Sequence, residues 1–163
     1  MSKANKKTLG LFAEGINLEQ ATTRTLVDLQ HQACADRIAL AKTFLNSGDR
    51  LMRVRPPEYR SAISRYYYSM YHAIRAVAYF NEGGDDKESH ATLPGAVPSD
   101  FTDSAIWQNE LKDARSRRNE ADYDPYPINP ADWRVVARDL QSKAPSLLLL
   151  AESYLKQKGC GHL

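Results

Sequence analysis

Arg65-Tyr66-Tyr67-Tyr68-Ser69-Met70-Tyr71-His72-Ala73 sits in the middle of an apolar repeat that decides the fold. Tyr59, Ile63, Tyr66, Met70, Ile74 and Val77 recur at intervals of three and four, the spacing of one face of an α-helix. Pro56-Pro57 stands where such a helix opens, since proline is tolerated in a first turn. The pattern runs out near Asn81, before Gly83-Gly84. At about 100° per residue, Ser61, Arg65, Tyr68, His72 and Tyr79 fall on the opposite face. A helix with aromatic residues on both sides is either central in a bundle or turned toward a partner.

The same period recurs on either side of this segment. Leu26, Leu29, Ala33, Arg37, Leu40 and Phe44 mark a helix predicted from about Leu18 to Ser47, closed by Gly48. Asp103 is placed to cap a helix from about Ser104 to Ala121. The stripe of that helix is Trp107, Leu111, Ala114, Arg118 and Ala121, so Arg118 projects among apolar residues. Pro125, Pro127 and Pro130 make an extended linker. A last helix is predicted from about Ala131 to Lys158, kinked or split at Pro145. Residues 82–102 are irregular: Gly83-Gly84-Asp85-Asp86 reads as a turn, and Ser89 is positioned to cap a short helix that Pro94 and Pro98 limit. There is no strand alternation and no internal repeat. The fold class is therefore all-α, an up-and-down helical bundle of four long helices plus a short helix in the 82–102 crossing. Residues 1–18 read as a mobile N-terminal arm, 19–158 as the bundle and 159–163 as a loose tail.

A chain of 163 residues suffices for one domain with a hydrophobic core. The net charge of +2 gives no global field for a polyanion, so any such binding must come from a local patch. The strongest patch runs from Lys112 to Arg118, four basic residues against Asp113. Cys34 and Cys160 form no disulfide framework, which fits a reducing cytoplasm. Met1 to Lys7 is basic with no apolar run behind it, unlike a secretory signal. The longest apolar run, Leu147 to Ala151, is too short to span a membrane. The four histidines lack metal-ligand spacing, Gly83-Gly84 is not followed by the Lys-Ser or Lys-Thr of a phosphate loop, and no serine sits in a nucleophile elbow. No metal and no cofactor are expected.

Candidate chemistry gathers at two places. In Arg118-Asn119-Glu120-Ala121-Asp122-Tyr123-Asp124, Arg115, Asn119 and Asp122 share one helix face, and Arg118 and Asp122 are also neighbours. A guanidinium offers a planar fork suited to phosphate, and asparagine adds a neutral donor. Taken by themselves, the same residues are better explained by an Arg118–Asp122 pair closing the helix end, since ion pairs on helices are common. On the earlier helix, Arg65, Tyr68 and His72 lie along one face. They suit an RNA-contacting surface, with Arg65 on phosphate and tyrosines stacking on bases; against this stands a core of tyrosines with Arg65 paired to a carboxylate such as Asp122. His90, after Ser89, is a candidate for proton transfer, or else a capping or packing residue.

Taken together, Ser64 to Ala73 and Arg118 to Asp124 resemble two motifs of the HEPN superfamily (higher eukaryote and prokaryote nucleotide-binding domains), its Arg-aromatic-Tyr-Tyr helix and its Arg-x-x-Ala-Asp-Tyr helix end. Ser89-His90 is similar to a Ser-His found in small prokaryotic members. The resemblance spans about residues 25–157. It implies a helical bundle, frequently a homodimer, that binds or acts on RNA in the cytoplasm. Many relatives are metal-independent endoribonucleases of toxin–antitoxin or phage-defence systems, some paired with a nucleotidyltransferase-like antitoxin. Their arginine holds the scissile phosphate, and a histidine four to six residues beyond it transfers protons. Here Tyr123 stands where that histidine is expected, and an unperturbed tyrosine, with a pKa of about 10, is a poor base at neutral pH.

Two functions follow from the resemblance. The first is an RNA-directed ribonuclease with Arg118, Asn119, Asp122 and Tyr123 at the reacting phosphate. Arg65, Arg115, His72 and Tyr68 then hold RNA, and His90 or His72 supplies a proton acceptor. The second is a non-catalytic module for dimerisation or partner binding, in which Arg65, Arg118 and Asp122 form a buried polar network.

Overall fold

The computed structural model describes residues 6–83 and 89–163. Five α-helices make up most of it: α1 (Lys6–Thr22), α2 (Leu26–Arg53), α3 (Tyr59–Glu82), α4 (Ser104–Tyr123) and α5 (Arg134–Gln157). Single turns of 3-10 helix stand at Leu93–Ala96 and Pro130–Trp133. Among the described residues there is no strand, and the chain is an all-α helical bundle.

The repeat around Arg65–Ala73 places α3 at the centre. Ile63, Tyr66, Met70, Ile74 and Val77 are completely buried, and α2, α4, α5 and both 3-10 turns pack around this one helix. The carboxylate of Asp49 on α2 accepts the Tyr66 hydroxyl at 2.8 Å and the Gln141 amide of α5 at 3.4 Å, joining three helices beside the core. Gly83, at φ 70°, ends α3 in the left-handed conformation that glycine adopts without strain. Of the turn expected over Gly83-Gly84-Asp85-Asp86, everything from residue 84 lies outside the described residues.

Three helix assignments change. The helix expected over 18–47 is two helices, broken at Thr23, whose φ is 55°. Thr25 then restarts the chain by accepting the Asp28 N–H on its hydroxyl. Part of the expected N-terminal arm is thereby helical, and α1 packs chiefly on α2. Gly48 does not close α2, which continues to Arg53. Gly48 is instead a contact point: a Cβ there would stand 2.7 Å from the Tyr66 ring, so only glycine lets the two helices approach this closely. Pro145 does not split α5, which runs unbroken through it.

The buried stripe of α2 also differs from expectation. It runs through Cys34, Ile38, Ala41 and Gly48, with Leu45 and Met52 against it. Leu26 and Leu40, on the expected stripe, are 45% and 40% exposed. Cys34, Ala41 and Gly48 permit close packing on α3 around Ile38, whereas Leu26, Leu29 and Leu40 suggested the neighbouring face. Asp103 precedes α4 at φ 55° and makes no side-chain cap.

The segment 159–163, expected to be loose, is tied to α2. Cys160 is buried and its sulfur lies 3.6 Å from the His31 carbonyl. The Gly161 N–H donates to His31 Nδ1, and His162 Nε2 lies 2.7 Å from an Asp28 carboxylate oxygen. Cys34 and Cys160 are both free thiols. Burial, with Cys160 close by, pushes the Cys34 thiol up to about 12. Among the described residues no helix is long and apolar enough to cross a membrane, and no cluster of His, Cys, Asp and Glu is arranged to hold a metal ion.

Candidate functional site

Arg118 is the junction of the site. It lies on the inward stripe of α4 with Leu111, Ala114 and Ala121, all buried, so its guanidinium emerges against α3 and not into bulk solvent. Each of its nitrogens meets a separate partner. Nη2 donates to the Tyr68 hydroxyl at 2.5 Å and Nη1 to the Asn119 side-chain oxygen at 3.0 Å. Nε stands 2.8 Å from Asp122 Oδ2 as an ion pair, although its N–H is not aimed at that oxygen. The side chain is only 18% exposed. Burial disfavours its charge, but Tyr68, Asp122 and Tyr123 outweigh that and hold the guanidinium above its ordinary pKa.

The partners are themselves fixed. Asp122 accepts the hydroxyl of Ser64, a buried α3 residue, on its second oxygen. Tyr68 packs edge-on to His90, with ring centroids 6.0 Å apart. His90 Nδ1 lies 2.7 Å from the hydroxyl of buried Tyr67, and its ring lies 4.2 Å from that of Tyr71. Ser89, just before it, turns the chain by accepting the Ala91 N–H on its hydroxyl and the Thr92 and Leu93 N–H groups on its carbonyl. Partial burial, then Arg118, Arg115 and Arg75, hold His90 below its usual pKa. It is therefore a neutral imidazole near pH 7. Arg115, one turn before Arg118, makes no hydrogen bond or ion pair with a described residue.

The expected site residues fall into two groups. Arg118, Asn119, Asp122, Tyr123, Tyr68, Arg115 and His90 come together where α4, α3 and the 89–97 segment meet. Tyr123 lays its ring 5.7 Å from the Arg118 guanidinium while remaining 75% exposed. His72 and Arg65 belong to a neighbouring patch. The His72 ring stacks flat on Phe44 at 5.4 Å, and burial, then Arg75, Arg37 and His90, lower it to about 4. His72 Nδ1 is buried with no partner. Arg65 is exposed and lies 5.7 Å from the Phe44 ring. Among the described residues it pairs with no carboxylate, and Asp122 is engaged by Ser64 and Arg118 instead.

Sequence reasoning passed over Phe44, Tyr67 and Arg60. Tyr67 and Tyr71 are four apart on α3, a spacing that marks a shared face. Phe44 touches Tyr68, His72 and Arg65 from α2, a meeting that only packing defines. Arg60 donates to the carbonyls of Ala121 and Asp124, at 2.7 and 2.5 Å, and lies over the Trp133 ring. It neutralises the carbonyl end of α4 and anchors the linker that follows. No sequence signal points to it, because its partners are backbone atoms about sixty residues away.

No curated protein and no solved structure matches the chain. A family model described as HEPN domain matches residues 35–154, from the middle of α2 to the end of α5 and therefore across every element that builds the site. With the match covering well over half of its length, this chain belongs to the HEPN family of helical, RNA-associated nucleotide-binding domains.

Proposed function

We propose that this domain grips an RNA backbone between Arg115 and Arg118 and cuts it by metal-independent transesterification, with His90 as proton acceptor. One observation carries the proposal. His90, 28 positions before Arg118 in sequence, is within electrostatic reach of both arginines and is the only histidine whose ring also touches Tyr68, the Arg118 partner, among the described residues. It supplies the imidazole that the sequence lacks after Arg118. In the tautomer with Nδ1–H donated to Tyr67, Nε2 has a free lone pair. Nε2 takes the ribose 2′-OH proton as the 2′-oxygen bonds to phosphorus. The bond from phosphorus to the 5′-oxygen breaks, that oxygen takes a proton from a water molecule, and the hydroxide left takes the proton back from His90. The arginines balance charge building on the phosphoryl oxygens.

The test is purified protein with single-stranded RNA in excess EDTA, reading 2′,3′-cyclic phosphate ends. His90→Ala is expected to slow cleavage by about a hundredfold or more, the usual contribution of a proton-transfer group. RNA left intact by the wild type, or cut equally by His90→Ala, rejects this chemistry.

A second function is favoured by a different observation: all three Arg118 nitrogens already have partners inside the fold. A guanidinium held at each nitrogen by a neighbour of its own fold suits a structural pin in a non-catalytic module that binds RNA, a second copy or a nucleotidyltransferase-like partner. RNA binding without cleavage, unchanged in His90→Ala, is the outcome that selects it.

A further inference from the structure

The end of α4 and the first linker residues form a shallow, wide-open hollow of about 460 Å³ beside Arg118, lined by Asn119, Glu120, Tyr123, Asp124 and Pro125. Its chemistry is opposite to that of the arginine side. Two carboxylates make it repellent to phosphate, while an aromatic face, a proline and an amide make it suited to a planar, uncharged group with hydrogen-bond donors on its edge. One face of the Tyr123 ring is covered by the Arg118 guanidinium. At 75% exposure, most of the rest of the residue is open to solvent. Glu120 is partly engaged by Arg117 and Ser116, and among the described residues the Asp124 carboxylate accepts only the Tyr126 N–H, on Oδ1. Asp124 Oδ2 thus remains as an acceptor at the hollow.

The hollow is also rigidly mounted. Arg60 bonds the carbonyls of Ala121 and Asp124, and the Trp133 indole N–H holds the Pro127 carbonyl at 3.1 Å. Anchoring the backbone on either side of Tyr123 before any ligand arrives lowers the ordering cost of binding.

We infer that this hollow is a base subsite: Tyr123 stacks on an unpaired RNA base whose neighbouring phosphate lies at Arg115 and Arg118, and Asp124 accepts a hydrogen bond from that base's exocyclic amine. The inference rests on RNA binding at the arginines, and it assigns Tyr123 a stacking role in place of proton transfer. A carboxylate pairs with the N4 amine of cytosine and has no donor to meet at O4 of uracil. Stacking on an aromatic side chain requires the ring and not the hydroxyl. The subsite therefore takes single-stranded RNA and favours cytosine over uracil, two bases of equal ring size.

Fluorescence anisotropy of the full chain with labelled oligocytidylate and oligouridylate tests this, with melting temperatures recorded for each variant. Wild type is expected to bind oligocytidylate more tightly. Tyr123→Ala should weaken both by about fivefold or more, in line with one lost stacking contact, and Tyr123→Phe should bind like wild type. Asp124→Ala should shrink the cytosine preference while leaving oligouridylate binding in place. Equal affinity in Tyr123→Ala and wild type overturns the subsite, as does a Tyr123→Phe variant as weak as Tyr123→Ala. If those variants behave as wild type while Arg118→Ala loses RNA, the arginine site stands and the base subsite falls. If oligocytidylate binds as expected but is never cut, the subsite stands and the cleavage chemistry falls. If wild type binds neither RNA, both fall.

Discussion

The floor and the rim of the site are built from the same residue types and behave as opposites. On the floor, Arg118, Tyr68, Asp122, Ser64, Tyr67 and His90 hold one another through short contacts across α3, α4 and the 89–97 segment. On the rim, Arg115 makes no hydrogen bond or ion pair with a described residue, and Tyr123 has only a guanidinium–ring contact. Arg115 and Arg118 stand one turn apart on the same helix and fall on different sides of this division. The difference separates two uses of a guanidinium. A fixed one shapes a site and sets the charge of its neighbours, while an unpaired one has donors left for a ligand.

On this division, floor substitutions cost stability first and rim substitutions cost RNA affinity alone. The largest effect is expected at Asp122. Breaking a buried ion pair from one side costs about 3–5 kcal/mol. The Arg118 and Asp122 side chains are 18% and 29% exposed, and that discounts the loss for Asp122→Ala to about 2 kcal/mol. Asp122→Asn keeps an acceptor for Ser64 and loses only the charge, so it should fall between. Chemical denaturation measures both, and a wild-type midpoint for Asp122→Ala removes the floor from the comparison.

Much of the floor could be read from the sequence, in proportion to how local its contacts are. The Arg118–Asp122 pair follows from a spacing of four on one helix, and the periodicity of α4 is enough to place Arg118 among apolar residues. The α3 core stripe is equally local, and Ile63, Tyr66, Met70, Ile74 and Val77 are all buried. What the sequence leaves open is joined by packing between helices. His90 reaches Tyr67 across 23 residues and Ser64 reaches Asp122 across 58, and no periodicity encodes such meetings. The α2 seam is hidden for a related reason: Cys34, Ala41 and Gly48 on it are small, and a hydrophobic pattern weights large side chains. Tyr123 is legible as a motif residue but not as an exposed ring, because exposure depends on how Arg60 and Trp133 hold the linker.

His72, in the neighbouring patch, sharpens the comparison from outside the site. Its pKa falls from 6.5 to about 4 on folding, first through burial and then through Arg75, Arg37 and His90. A depressed imidazole pKa means that the unfolded chain takes up the proton first. Stability from this group is complete above about pH 6.5 and is lost as pH falls toward 4. With the ring half-buried, the loss is of order 1 kcal/mol. His72→Phe keeps the stack on Phe44 and removes the titration, so its stability should decline less than that of wild type across this window. Urea denaturation at several pH values checks it, and parallel profiles for the two proteins would show that the ring titrates as it does when unfolded.

The smallest effect, and the sharpest test of the rim, belongs to Arg115. It touches no partner that its loss would strand, so Arg115→Ala should leave the melting temperature within experimental error of wild type. If its guanidinium meets a phosphate, that variant should bind single-stranded RNA several-fold more weakly. Its loss should also lower the slope of log affinity against log salt by about 0.7, the counterion release expected for one phosphate on a single strand. The slope separates a direct contact from a general loss of positive charge. A distant charge changes affinity at low salt through the summed field, whereas a contact removes one released counterion at every salt concentration. A variant with weaker binding but an unchanged slope would move Arg115 off the phosphate and leave Arg118, despite its three internal partners, as the cation that RNA meets.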